Sequence, residues 1–305
     1  MGSYFFDKKR IIVLVGFAVC IYMVSFPEII IKGSKTAIDI WLNSIVPVIM
    51  PFFIVAGFLK GIGICDNIPV RIYPLAMAVL SGYPMGAKIA GDYYREGIID
   101  SRNLYGLLSY SMVTGPAFII GTVGVSMLNS YKLGVVLAVS HYGAAMINGL
   151  IFGGFSPVKD DRNNLPKSAR EIPDYYKVLT DAMLNSFKSV AIILAYIMIF
   201  MILCSSLDSF GLFSLTSNKT LEALIKGFME MTVGCGSIAG GDVGEMSSLI
   251  ICSFLISFGG LSVLGQSVSM LNNCAIKGFR LFKIKLSHGI LSAIIAFAIF
   301  EIMIQ

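Results

Sequence analysis

The amino-acid sequence predicts an all-α integral membrane protein, organised as an inverted repeat with two re-entrant helical hairpins and about seven full crossings. Of its 305 residues, 56% are hydrophobic and 13% are charged, which is about half the charged fraction of a typical soluble domain. Runs free of Asp, Glu, Lys and Arg alternate with short basic segments, and two sequence matches recur at nearly the same offset. A soluble globular domain is excluded, because these residues cannot cover a water-facing surface.

The first membrane helix is predicted within residues 1–35. Lys8, Lys9 and Arg10 precede an apolar run at 11–27. This is the pattern of a signal sequence, but no small-x-small cleavage site follows the apolar run. We therefore expect the segment to remain in the membrane as a helix.

Seven segments are expected to cross the bilayer, since a crossing helix needs roughly 20 apolar residues. They are 11–30, 40–60, 103–129, 133–156, 188–207, 246–272 and 286–304. Basic residues concentrate before the first segment, in the polar loop 157–177 and before the last segment. Because basic loops favour the cytoplasm, we expect the N-terminus and the 157–177 loop inside and the C-terminus outside.

Two further segments, 72–99 and 219–242, are predicted to form re-entrant hairpins. Each contains apolar residues but is interrupted by glycine or proline, so neither is suited to cross alone. Irregular backbone at membrane depth is tolerated only where protein or a water-filled cavity satisfies its polar groups. We therefore expect both hairpins to enter and leave on the same side.

An internal repeat relates the two parts of the chain. Residues 39–44 (DIWLNS) match 181–186 (DAMLNS), and 115–121 match 259–265, with offsets of 142 and 144 residues. This predicts a first repeat at 36–156 and a second at 178–305, each with one hairpin. An odd number of crossings in each repeat would turn the second copy upside down, as in many secondary transporters.

Lys88 is the strongest candidate for substrate binding. It ends the string SGYPMGAK at residues 81–88, where a lysine beside exposed backbone N–H groups would suit a carboxylate or phosphate. Gly82, Pro84 and Gly86 would let the backbone approach a ligand. The alternatives are that Lys88 reaches the membrane interface with its stem in lipid, and that the glycines only pack helices.

The second hairpin contributes Glu230, Thr232 and Gly234 as candidates. A carboxylate within the membrane needs a partner or a proton to offset its desolvation. Glu230 is therefore expected to bind a coupling ion, to accept a proton, or to pair with Lys88 across the repeat interface. A position at the membrane interface is the remaining alternative.

Other polar residues are weaker candidates for the site. Asn43 and Asn185, in the two copies of the Leu-Asn-Ser triplet, could bind a ligand or hold helices together. Ser109 and Thr114, near the break in a long helix, could line the pathway or satisfy freed carbonyls. His141 could titrate near neutral pH or serve as a packing residue, and His288 is a weaker candidate still.

The sequence argues against enzymatic chemistry and against cofactors. It contains no Ser-His-Asp, H-E-x-x-H, Walker or dinucleotide signature. The six cysteines stand singly without clustered histidine, so no metal site or disulfide scaffold is expected. The net charge of +5 comes from dispersed basic segments, which indicates membrane topology and no nucleic-acid partner.

The strings SGYPMGAK at 81–88 and GFMEMTVG at 227–234 resemble those of the YlbJ-type sporulation integral membrane proteins. The resemblance covers about residues 10–300 and extends to a wider group with nucleoside-recognition or gate domains. It implies transport of dipicolinate, pyridine-2,6-dicarboxylate, from the mother cell across the outer forespore membrane, with Tyr83 or Tyr93 stacking on the ring. It also implies a multi-pass protein in a cell membrane that assembles as a homo-oligomer.

Two other functions stay open on the sequence. One is a nucleoside carrier of the gate-domain type, and the other is a non-transporting scaffold that recruits sporulation partners through the 157–177 loop. The paired hairpins favour transport, because broken helices at membrane depth cost stability that a simple anchor does not need to spend. The coupling of transport to protons, to sodium or to neither is not determined by the sequence.

Overall fold

The computed structural model describes residues 8–63, 68–157 and 174–304. Most of the residues in these ranges are helical, and none of them lies in a β-strand. Four helical segments are long and apolar enough to cross a membrane, and a bent pair at the N-terminus supplies a fifth if it is taken as one span. The predicted all-α membrane class is confirmed, whereas seven crossings remain a prediction.

The N-terminal helix ends earlier than expected. Helix α1 covers Lys8–Ser25, and α2 covers Pro27–Ile40 after a bend of 95°. The bend falls at Phe26 because a residue before proline is disfavoured in the helical conformation. The segment expected to cross at 11–30 therefore contains a sharp corner.

The helix after this corner continues into the next predicted crossing. A π-helical segment at Trp41–Ile45 joins α2 to α3, which covers Val46–Gly61. The segment expected at 40–60 is thus the second part of a longer helical run. π-Helical turns are rare and often mark functional regions.

The first hairpin and the helices that follow it complete the first half of the chain. Helices α4 and α5 form the hairpin at 72–99 and are separated by residues 82–84. A second break, at residues 112–115, follows α6 and interrupts the segment predicted to cross at 103–129. The elements are α4 at Ile72–Ser81, α5 at Met85–Arg95, α6 at Ser101–Ser111, a π-helix at Ala117–Met127 and α7 at Tyr131–Ile151.

The second half repeats this order of elements. A long helix is followed by a broken hairpin, a broken pair and a final long helix. The elements are α8 at Tyr175–Ser209, a 3-10 turn at Phe213–Leu215, α9 at Lys219–Met229, α10 at Met231–Ala239, α11 at Glu245–Phe258, α12 at Gly260–Met270 and α13 at Gly278–Ile304. Most of the polar loop predicted at 157–177, namely 158–173, lies outside the described residues.

Corresponding elements of the two halves pack on each other. Helix α8 lies along α2 and α3, while α13 packs against both α7 and α11. One apolar core chiefly joins α3 to α6 with α8, and a second joins the π-helix, α7, α9 to α11 and α13. The internal repeat and its inverted orientation remain predictions.

The helix breaks meet in pairs at the centre of each half. Gly82 has φ of +79°, and a Cβ there would lie 3.0 Å from the amide nitrogen of Gly115. Gly260 has φ of +74°, and a Cβ there would lie 3.0 Å from the carbonyl oxygen of Met229. Only glycine adopts this backbone region without strain, so these positions fix where the helices stop.

Candidate functional site

A cavity of about 650 Å³ lies between α3, α5, α8 and the C-terminal end of α12. Its charged lining is mainly basic: Lys60, Lys88, Arg95 and Lys188, against Asp92 and Asp181. Polar neutral side chains from α8 and α12 complete the lining. The four basic and two acidic groups give this cavity an excess of positive charge, which favours an anionic ligand.

Lys88 lies on the wall of this cavity without a carboxylate partner. Its Nζ donates a hydrogen bond to Ser189 Oγ on α8 at 3.0 Å and lies 5.0 Å from the centre of the Phe53 ring. Within the described residues Lys88 forms no ion pair. A half-buried ammonium with one neutral hydrogen-bond partner has capacity left for an anion.

The other basic groups near the cavity mouth are neutralised by carboxylates. Asp92 accepts from Lys60 at 3.0 Å and from Arg95 at 2.5 Å, and Lys60 also pairs with Glu96 at 2.7 Å. Arg95 further donates to the carbonyl of Asn272 at 2.9 Å. This network ties α3, α5 and the segment after α12 together and leaves Lys88 and Lys188 as the cavity cations without a carboxylate partner among the described residues.

The repeated Leu-Asn-Ser triplet is placed unequally. Asn185 lines the cavity from α8, as expected for a site residue. Asn43 lies in the π-helical segment Trp41–Ile45, is exposed, and is absent from the cavity lining. The sequence match therefore brings one asparagine of the pair to the cavity.

The residues of the first break lie behind the cavity. Gly82, Tyr83, Pro84 and Gly86 are buried and do not line it. Gly86 packs directly on the carbonyl oxygen of Ser111, so its place is explained by close packing. The backbone of this string does not line this cavity, because the break is packed against residues 112–115, and an anion site at these N–H groups stays a prediction.

Tyr93, the other tyrosine expected to stack on a substrate ring, is also buried and outside the cavity lining. Ser109 lies within α6, and its Oγ donates to the carbonyl of Gly106 at 2.6 Å. Thr114 lies in the break 112–115, where its backbone amide donates to His141 Nε2 at 2.9 Å. The structure therefore favours the alternative of satisfying a backbone carbonyl for Ser109, whereas the buried hydroxyl of Thr114 bonds no carbonyl.

Glu230 acts as the N-cap of α10. It is 3% exposed, and its carboxylate accepts from the Val233 amide at 3.0 Å and from Thr232 Oγ1 at 3.4 Å. Such caps satisfy amide groups that a helix start leaves free. Gly234 packs directly on Gly227. The expected ion pair between Glu230 and Lys88 is not formed.

A second polar feature, the Lys285 cluster, lies in the protein interior and comprises Tyr83, His141, Ser257, Lys285 and His288. Lys285 and His288 are each 1% exposed, and His141 is fully buried. The ring centres of the two histidines are 4.8 Å apart. The cluster joins the first break to α7, α11 and α13.

The sequence does not single out Lys285, because it follows Lys277, Arg280 and Lys283 in what reads as a basic segment before the last helix. Helix α13 starts at Gly278, so residue 285 lies two turns inside it. The available signal was the spacing of Lys285 and His288, since residues three apart share one face of a helix. Each histidine also lies ten residues beyond the first residue of its helix, at corresponding places of the two halves.

An all-helical chain with several apolar spans, a charged cavity and a sealed polar cluster is a multi-pass integral membrane protein. The sporulation integral membrane protein YlbJ of Bacillus subtilis (strain 168) is 27% identical to it over a 318-residue alignment, which covers 89% of this chain and 78% of that protein. This similarity supports a YlbJ-type assignment. No protein-family model matches the chain, and no solved structure is significantly similar to it.

Proposed function

We propose that this protein is a transporter that moves dipicolinate, or a similar small dianion, across the outer forespore membrane during sporulation without chemically changing it. The observation that carries the proposal is Lys88, a cation without an ion pair among the described residues, on the wall of a cavity of about 650 Å³. Dipicolinate is the substrate that the family resemblance implies, and its carboxylates match a charge-assisted hydrogen bond from an ammonium group.

The cavity offers groups for both ends of a dicarboxylate. Lys88 and Ser189 would hold one carboxylate, while Lys188 and Asn185 line the same cavity from α8 and would hold the other. Lys188 makes no ion pair with any described residue. A second anchoring point would favour a dianion over a monoanion of the same size.

The position of the cavity supports loading from the mother cell. Gly61, Val178 and Asn272 all line it, and the predicted topology puts the end of α3, the start of α8 and the end of α12 on the cytoplasmic side. These three chain segments therefore meet where a cytoplasmic substrate would enter. The helix breaks beside α5 supply the irregular backbone that carriers of this kind use near the membrane midplane.

The test is uptake of labelled dipicolinate by purified protein in liposomes. We expect Lys88→Ala to reduce uptake about 10- to 100-fold, because a hydrogen bond to a charged group contributes about 1.5–3 kcal/mol. Lys88→Arg should retain part of the uptake. Lys132→Ala is the matched control, since Lys132 is exposed at the start of α7 and lies outside the cavity.

The alternatives give different results in the same assay. Equal uptake by wild type and Lys88→Ala would contradict the proposed site. Inhibition by excess nucleoside, in a protein that does not move dipicolinate, would indicate a nucleoside carrier. A scaffold would show no uptake, and sporulation would be insensitive to Lys88→Ala but would fail after deletion of residues 157–177.

A further inference from the structure

The residues of the Lys285 cluster do not line the cavity. They surround a lysine that water does not reach. A charged ammonium in such a place loses its hydration, which is costly unless hydrogen bonds or an opposite charge replace it. The neighbours of Lys285 therefore decide which form of the side chain is held.

Three acceptors surround Lys285 Nζ. One is the hydroxyl of Tyr83, which is in direct contact with it, one is the carbonyl oxygen of Met112 at 3.0 Å, and one is His288 Nδ1 at 3.4 Å. His288 Nε2 lies 2.9 Å from the carbonyl of His141, which can only accept. A neutral His288 thus carries its proton on Nε2 and leaves Nδ1 free to accept.

No carboxylate of the described residues offsets the charge. Among the described residues, the titratable groups that face Lys285 are Tyr83 from the first break, His288 on its own helix and His141 on α7, with Tyr142 next to His141. From α11 the cluster receives the hydroxyl of Ser257, at 2.7 Å from His141 Nδ1, and the carbonyls of Ile256 and Ser257, which accept from the Tyr83 hydroxyl at 3.3 Å. Three acceptors stabilise the ammonium form of Lys285, whereas complete burial favours the neutral amine. Small movements of the acceptors can therefore change which form is the more stable.

The three acceptors belong to three parts of the fold that meet at the helix breaks. Tyr83 lies in the break 82–84, Met112 in the break 112–115, and His288 on α13. Helix α5 begins directly after the first break, and its Lys88 amide donates to the carbonyl of Pro84 at 3.0 Å. A movement of α5 at the cavity would therefore displace the hydroxyl that holds Lys285.

We propose that Lys285 is the proton-binding site that couples transport to proton movement. Its Nζ takes up one proton that comes from one side of the membrane, changing from amine to ammonium, and returns to amine when that proton is released to the other side. Displacement of Tyr83 or Met112 removes an acceptor from the ammonium and causes the release. The proposal rests on the transport function above, and the proton is its only added reactant.

The experiment measures two signals on liposomes from one reconstitution, one batch preloaded with unlabelled dipicolinate and the other empty. Counterflow of labelled dipicolinate against unlabelled dipicolinate inside reports substrate exchange, which requires no net proton movement. A pH-sensitive dye inside the liposomes reports proton movement when dipicolinate is added outside. We expect wild type to show both signals, Lys285→Met to keep counterflow and lose the pH change, and Lys283→Met, exposed on the same helix, to keep both.

Each other result has a definite meaning. Wild-type counterflow without a pH change, or a pH change that persists in Lys285→Met, would overturn the proton site and leave the transport function standing. Absence of wild-type counterflow would overturn both. Loss of counterflow in a folded Lys285→Met protein would make Lys285 a substrate ligand and would also overturn the assignment.

A second variant keeps the shape of the cluster. Tyr83→Phe removes one acceptor from the ammonium, so a lower pH is needed to protonate Lys285. We expect the pH at which dipicolinate uptake is half-maximal to move to lower values, which a purely structural role would not produce. An unchanged pH profile in a folded Tyr83→Phe protein would overturn the proposal.

Discussion

Lys88 and Lys285 show how differently a lysine can be used within one membrane protein. Lys88 lies on a cavity wall, half-buried, with one hydroxyl partner, whereas Lys285 is 1% exposed and surrounded by three acceptors. Water can hydrate the first and cannot reach the second. A hydrated ammonium can exchange water for an anion, while a sealed one has room only for the gain or loss of a proton.

We expect the largest difference between the two positions when the charge of each lysine is reversed and the loss of unfolding free energy is compared. Lys285→Glu would place a carboxylate against the carbonyl of Met112 and His288 Nδ1, and an unpaired buried charge costs about 3–5 kcal/mol. Lys88→Glu, in the open cavity, should cost under about 1 kcal/mol. Thermal unfolding in detergent, followed through the single tryptophan Trp41, measures both.

Trp41 is a suitable reporter because its Nε1 donates to the carbonyl of Val190 at 2.8 Å, across the contact between the two halves. Lys283→Glu is the control, since this exposed lysine lies on the same helix as Lys285. Equal losses of stability at Lys88 and Lys285 would show that water reaches both and would remove the contrast.

A smaller effect is expected from the hydroxyl that positions Lys88. Ser189→Ala removes the hydrogen bond to Lys88 Nζ, and a net contribution of about 1 kcal/mol corresponds to about fivefold weaker apparent affinity. The concentration dependence of dipicolinate counterflow measures this affinity. The proton signal assigned to Lys285 should be unchanged, so a simultaneous loss of that signal would contradict the separation of the two sites.

The smallest expected effect concerns the cavity mouth. Asp92→Asn releases Lys60 and Arg95 from their shared carboxylate, and the cavity becomes more positive. Because partly exposed ion pairs contribute about 0–1 kcal/mol, we expect apparent affinity for dipicolinate to rise about two- to threefold at low salt. Repeating the measurement at high salt checks the cause, since screening should abolish the gain.

The sequence predicts the parts of the fold that depend on local chemistry. The breaks near residues 82–84, 115 and 259 follow from proline and glycine, which interrupt helices for reasons present in a few neighbouring residues. The apolar runs likewise predict the membrane class. The corner at Phe26 was available from Pro27, although hydropathy alone joined the two helices into one crossing.

The placement of the candidate site depends on contacts that sequence does not contain. Lys88 and Asn185 reach the cavity, whereas Asn43 does not, because repeated sequence does not require that both copies face the same cavity. Lys285 looked like a topology signal because counting basic residues ignores where the helix begins. Burial of a lysine without a carboxylate becomes visible only when α7, α11 and α13 are packed together.

The length of α8 has an electrical consequence. This helix has 35 residues, and the stretch of it that lines the cavity from Val178 to Ile192 rises about 21 Å at 1.5 Å per residue. Water filling that depth would carry the potential of the adjoining compartment down to Lys88. Most of the voltage would then fall across the packed breaks beyond it, where each elementary charge moved through 100 mV changes the free energy by about 2.3 kcal/mol. The step past Lys88 would be the one that the membrane voltage accelerates or slows.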